Sequence, residues 1–333
     1  MKRFSKLIAL FLALVLLMSG CGSNVSGYAN KVAATYGDRT IYLDEANFWL
    51  RYEQLAYSYM ISYYQQYLGV TDFWGMKSGN RTQTVAESLK EEIMAQFLQT
   101  NILLDHAGEY DTALSDDENK KIDEAIAQMR TDYAESLFLE SVVVISDERL
   151  HESIAQRTKA LKVWQGVREQ AATNVSDEDT RSFTVDYIQI SASTSVTPEG
   201  QSTALTGEDL AKHLTDLLVD GKSVADLKTL YSSLTTGTVS YRWNDESTQT
   251  KAQNRLGRVL TDGQVTWQKD GESWYVVKSV SADDKDAAAE AREKLESEQK
   301  EAHFNEVYAE WAKAAKTFSV RSVFQNLPML ISQ

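Results

Sequence analysis

The sequence predicts an α+β protein: a mostly helical domain, discontinuous in the chain, with a small α+β module inserted in it. Three observations predict this. Apolar residues recur at spacings of three and four through much of residues 43–172, the period of an amphipathic helix. From Ser176 the pattern changes to strand-like runs, FTVDYIQIS at Phe183–Ser191 and WYVVKSV at Trp274–Val280. A charged stretch, Asp283 to about Lys316, then returns to helical spacing with Phe304, Val307, Tyr308, Trp311, Ala315 and Phe318 along one face, and is expected to pack back on the first helical region. Two prolines, Pro198 and Pro328, in 333 residues fit long uninterrupted helices.

Taken in order, Val32–Tyr42 alternates weakly around Gly37-Asp38 and reads as strand, turn, strand. Leu43–Leu68 reads as one helix. Phe48, Tyr52, Leu55, Tyr59 and Tyr63 share a face, and Tyr57, Ile61 and Tyr64 lie opposite. A helix apolar on two sides is buried between neighbours or uses one side for binding, burial being the commoner case. Gly69–Asn80 reads as a loop carrying Phe73 and Trp74, and Val85–Leu104 as a long apolar-rich helix. Ser115-Asp116-Asp117-Glu118 has the S-x-x-E form of a capping box, its acids suited to the positive end of the helix dipole. Ser146 starts the next helix, to about Ala172. Within the module, helices are expected at Gly207–Leu218 and Val224–Leu230, a strand at Val239–Trp243, and a last strand near Thr317–Phe324. Ala192–Thr206, rich in Ser and Thr, reads as a loop.

The N-terminus carries a basic start (Lys2, Arg3, Lys6), an apolar run of 12 residues from Leu7 to Met18, two small residues, and then Cys21, the one cysteine in the chain. The run is shorter than the roughly 20 residues that span a bilayer, which favours a secretory signal over a transmembrane anchor. A cysteine in this place resembles the lipobox of bacterial lipoproteins, with Met18 where leucine is usual. The resemblance implies cleavage before Cys21, acylation of Cys21 with a lipid such as palmitate, a tether over 21–30, and an extracytoplasmic, lipid-held protein. Removing residues 1–20 with their three basic side chains takes the formal charge from −14 to −17. So acidic a surface argues against nucleic acid as partner and against electrostatic adhesion to anionic lipid. With its one cysteine at the lipid position the mature chain makes no internal disulfide and depends on its core.

Catalytic motifs are missing. His106, His151, His213 and His303 have no metal-ligand or H-E-x-x-H spacing, so no metal and no cofactor is expected. There is no G-x-S-x-G elbow, P-loop or dinucleotide fingerprint. Paired carboxylates of the glycosidase kind depend on spatial pairing and stay open, though acids on helical faces are ordinarily just solvated.

The order of elements resembles the PrsA/SurA-type foldases, exported chaperones that carry parvulin-type peptidyl-prolyl isomerase modules. VAATYGDRTIYLDEANF (Val32–Phe48) resembles the family opening. LAKHLTDLLVDGKSVADLKTLYS (Leu210–Ser232) resembles the parvulin helix pair, and LTDGQVTWQKDGESWYVVK (Leu260–Lys278) its closing segment. The resemblance covers nearly the whole mature chain and implies a helical chaperone domain over 31–175, a parvulin-like module over 176–282 and a returning helix and strand over 283–333. The departures fall on the catalytic positions. Tyr187 and Tyr275 stand where parvulins have histidines, and Leu234 where they have Asp or Cys. The apolar proline pocket falls on the polar stretch Thr248–Leu256. Tyr187 and Tyr275 are then either a hydrogen-bonded pair that still serves amide rotation, against a barrier of about 18–20 kcal/mol, or core aromatics with a polar tip, the reading we favour. The resemblance implies a membrane-tethered folding factor with a degenerate isomerase module. Unfolded or nascent exported polypeptides would be its partners, and Tyr57, Ile61, Tyr64, Phe73 and Trp74 are the candidate client surface. An active isomerase and a cell-surface structural or assembly lipoprotein are the competing readings.

Overall fold

The computed structural model describes residues 30–79, 82–134, 137 and 143–329; the expected signal segment and Cys21 lie outside them. The described residues divide into two compact units, one formed by those of 30–170 with 303–329, the other by 171–302.

In the first unit, β1 (Val32–Tyr36) and β2 (Arg39–Tyr42) form an antiparallel hairpin. Gly37 occupies the turn at φ +57, where an L side chain is strained. Leu43 begins α1 (Leu43–Ala56), and α2 follows at Ser58–Leu68. The single helix expected over 43–68 is therefore broken at Tyr57, whose N–H reaches back to the Gln54 carbonyl at 3.0 Å, an i−3 bond that tightens the turn. α3 (Val85–Asp105) starts from a capping box in which Thr84 and Glu87 bond reciprocally, and α4 (Asp116–Asp132) from the Ser115–Glu118 box. α5 (Asp147–Glu169) is capped by the Ser146 hydroxyl, which accepts from the Arg149 N–H.

The second unit is built on β3 (Ser182–Ile190). The Ser/Thr-rich loop contains a short hairpin of β4 (Ser195–Val196) and β5 (Leu205–Thr206). Then come α6 (Gly207–Val219), α7 (Val224–Leu230), β6 (Thr235–Arg242), α8 (Ala252–Gly257), β7 (Val265–Asp270) and β8 (Ser273–Ser281). The four long strands form an antiparallel sheet in the order β6-β3-β8-β7. Ile188, Ile190 and Val276 on one face pack with Leu210, Leu214 and Leu227 of α6 and α7. Phe183, Val185 and Val277 on the other pack with Tyr241 and with Leu256 of α8. This is the period-two consequence of a sheet covered on both sides.

α9 (Lys285–Lys313) carries the chain from the second unit back into the first. There Phe304 is buried with Leu103, Ala160, Val163 and Val167. Trp311 stacks on His106 with ring centroids 3.8 Å apart. The expected last strand shortens to β9 (Phe318–Val320), which pairs antiparallel with β1, followed by a helical turn α10 (Ser322–Gln325). The first unit's sheet thus joins the two ends of the described chain in the order β2-β1-β9. Asp105 fastens the return: its carboxylate accepts from Tyr36 Oη at 2.9 Å and pairs with Arg39 at 2.7 Å and Lys316 at 3.1 Å. Burial pushes its pKa up, but the Lys316 and Tyr36 bonds and the Arg39 charge outweigh this and hold it below the usual value.

Candidate functional site

Two places are candidates for a functional site, one in each unit. In the first, the break at Tyr57 resets the phase of α2. A continuous helix would have turned Tyr59 and Tyr63 under Phe48 and Tyr52. In the broken helix Ile61 turns inward instead, with Tyr57 and Tyr64 packed against the same core. Phe73 sits 6.1 Å from Tyr57, 5.6 Å from Tyr64 and 5.3 Å from Trp74, ring centre to ring centre. The loop bearing them is pinned by the Gly75 N–H donating to Asp72 and the Ala86 N–H donating to the Trp74 carbonyl. Tyr57, Ile61, Tyr64, Phe73 and Trp74 are therefore brought together as core: Ile61, Phe73 and Trp74 are buried and the two tyrosines half-buried. Their apolar area is turned largely on one another, at the residues where the sequence suggests a client surface.

The exposed face is the opposite one. Tyr59 is 83% exposed, Tyr63 45% and Tyr67 67%, with Met60 and Leu68 beside them. The three tyrosines stand four residues apart on α2, and the rings of Tyr63 and Tyr67 lie 5.1 Å apart. Between Glu53 and Asp72 no residue carries a charge, in a chain of formal charge −14. The sequence held the signal for this row, an uncharged run with tyrosine at every fourth position. A continuous helix assigned it to the wrong side.

Elsewhere in the first unit, α1, α3 and α5 enclose a polar cluster that motif reading missed. Trp49 Nε1 donates to Ser153 Oγ at 2.9 Å, and Ser153 Oγ donates to Glu45 at 2.6 Å. The Arg157 guanidinium lies over the Trp49 ring at 3.7 Å and donates to Gln96 at 3.3 Å. Burial pushes the Glu45 carboxyl up to about 7, against the Ser153 bond and the Arg157 charge. Burial lowers Arg157 to about 10.

In the second unit, Tyr187 stands on β3 opposite Val277, and Tyr275 on β8 opposite Gln189, so both side chains project from one sheet face. That face is filled. Phe183, Val185 and Tyr241 continue it, and Leu256 and Leu260 pack over it. The Tyr187 ring lies across β6 at Gly237, where an added Cβ would meet its Cε1 and Oη at 2.9 Å. α8 presses still closer: a Cβ on Gly257 would come within 2.6 Å of Phe183 and 2.7 Å of Val185. Among the described residues no hydrogen bond joins Tyr187 to Tyr275, and neither hydroxyl has a protein partner. Burial raises the Tyr241 phenol, and the neighbouring Tyr187 and Tyr275 phenols add to it. Leu234 is not with them. It is fully buried in the cluster beneath α6 and α7, on the other side of the sheet. The polar stretch Thr248–Leu256 is tied down by buried Asn254, which donates to Thr248 Oγ1 and accepts from Arg258 Nε. Among the described residues no group of three His, Cys, Asp or Glu side chains is placed to hold a metal ion, and no helix is long and apolar enough to cross a membrane.

No family model and no curated protein matches the chain. Solved structures do. It is similar to foldase protein PrsA from Lactococcus lactis at 14% identity and a TM-score of 0.32, over 89% of this chain and 97% of that one. PrsA from Bacillus subtilis matches at 16% identity and a TM-score of 0.25, over 74% and 94%. The peptidylprolyl isomerase PrsA from Bacillus cereus matches at 13% and 0.29, over 79% and 95%. All three are structures of PrsA.

Proposed function

We propose that this protein is an extracytoplasmic folding factor, held to the membrane through a lipid on Cys21, that binds unfolded or nascent exported polypeptides without catalysing a reaction. The exposed, uncharged tyrosine row of α2 carries this reading. Tyrosine offers a large apolar face and a hydroxyl at low entropic cost, so a row of them takes many unrelated segments. An uncharged face also spares such segments the repulsion or attraction of a strongly acidic protein. The isomerase-like sheet face supports binding without turnover. Prolyl isomerisation needs a dry pocket for the ring and donors aimed at the twisting amide. Here Tyr187 lies against Gly237, Leu256 and Leu260 occupy the face, and Leu234 is on the far side of the sheet.

Two assays on the purified chain test the reading. Stoichiometric protein suppresses aggregation of a chemically unfolded protein on dilution, and a protease-coupled prolyl-peptide assay gives the uncatalysed rate whatever residue precedes proline. Unchanged aggregation removes the binding role; an accelerated rate restores an enzyme. A structural or assembly subunit would instead yield one partner, not many, on crosslinking in cells.

A further inference from the structure

The second unit has a sheet edge unpaired among the described residues, beside a groove of mixed polar and apolar lining. β7 is the outermost strand of the order β6-β3-β8-β7. The Ser279 N–H donates to the Gln264 carbonyl, and the register Val265↔Lys278 through Asp270↔Ser273 continues from there. In an antiparallel pair the backbone groups point alternately toward and away from the partner. Gln264, Thr266 and Gln268 therefore face β8, and Val265, Trp267 and Lys269 turn their N–H and C=O groups outward. Next to Val265 lies a groove of about 650 Å³, lined by Leu218, Val219, Leu260, Val265, Thr266 and Lys278 among others. Val219, in this lining, and Val259 and Val280, in the flanking segments, are large apolar side chains left exposed.

Lys278 is the charged side chain of the groove's lining. Its ammonium makes no hydrogen bond or ion pair among the described residues. Asp186, its cross-strand neighbour on β3, accepts from Thr238 Oγ1 at 2.6 Å instead. An ammonium without a hydrogen bond or ion pair, in a groove whose other lining side chains carry no charge, is complementary to a carboxylate. Exposed edges are ordinarily blunted by charge or covered, and the only charged side chain on the outward-facing positions of β7 is Lys269, at the end away from the groove.

We propose that the outer edge of β7 and this groove form a docking site for an extended polypeptide segment. The segment adds as a further antiparallel or parallel strand, its apolar side chains rest against Val219 and Leu260, and a carboxylate meets Lys278. The site stands on this geometry alone, independent of the role proposed for the tyrosine row. Main-chain bonds supply the affinity and the groove the selectivity, as in other strand-addition recognition.

Titration calorimetry with a short peptide of alternating valine and threonine ending in a free carboxylate tests it. The peptide binds the purified chain at sub-millimolar concentration. Its C-terminal amide binds about fivefold more weakly, the size of a partly screened ion pair. Lys278→Met removes the difference between acid and amide, and the same peptide N-methylated at alternate residues does not bind. Equal binding of acid and amide, full binding of the N-methylated peptide, or no saturable binding overturns the proposal. So does binding of laurate that the peptide fails to displace, which makes the groove an acyl-chain site. Self-association of the chain through this edge, seen by sedimentation and abolished by Val219→Glu, overturns it in favour of a second copy as occupant.

Discussion

Glu45 has an environment unlike the one its position in a helix suggests. It falls in the first turn of α1, where an acid ordinarily complements the helix dipole and stays in water. Here it lies under α5, and burial raises it from an ordinary 4.5 to about 7. A carboxyl whose folded pKa is raised binds its proton more tightly in the folded state. Its contribution to stability is thus fully present below pH 4.5 and lost as pH rises through about 7. The melting temperature of the first unit, followed by Trp49 fluorescence, should fall over that window, and Glu45→Gln should flatten the fall. A variant with an unchanged pH profile would show that the carboxyl is solvated. Tyr187 and Tyr275 make the complementary case. Neither hydroxyl has a protein partner among the described residues, so Tyr187→Phe and Tyr275→Phe should each change stability by less than about 1 kcal/mol in chemical denaturation.

At the level of elements, what could be read from the sequence was whatever local chemistry decides. The caps at Ser115 and Ser146 start their helices where the side chains say, because a hydroxyl satisfies an N–H that nothing else can reach. The hairpin at Gly37, the helix pair at Gly207 and Val224, and the strands at Phe183 and Trp274 follow from period and turn chemistry in the same way. The break at Tyr57 could not be read, since no proline or glycine marks it. It exists because Ile61 gains more by joining Phe73 and Trp74 in the core than the helix loses in one turn. That one break decides which tyrosines are core and which are surface. β7 was missed for a related reason: as an edge strand with Trp267 on one face and Gln268 on the other, it carries little apolar alternation. α8 was obscured by its polar sequence, and its close packing rests on Gly257. Gly257→Ala should cost about 1–3 kcal/mol by forcing Phe183 and Val185 aside, read as a loss of stability in denaturant. No loss would mean that α8 sits away from the sheet.

At the scale of the whole molecule, a strongly acidic chain carries one uncharged aromatic row and one cysteine, each standing apart from the composition around it. A binder without turnover gains from a high local concentration where its partners emerge, and a tether supplies that. On the proposed function, Cys21→Ala should move the protein out of the membrane fraction of cells and abolish the proposed folding role, while the purified chain melts as before. A membrane fraction unchanged by the substitution would mean that the lipid is not what holds it. The most direct measurement compares the purified chain with a Tyr59→Ser, Tyr63→Ser, Tyr67→Ser variant in suppressing aggregation of an unfolded protein. The three side chains are exposed, so the variant should keep its melting temperature and lose most of the suppression. Undiminished suppression by a folded variant would contradict the account and place polypeptide binding elsewhere on the molecule.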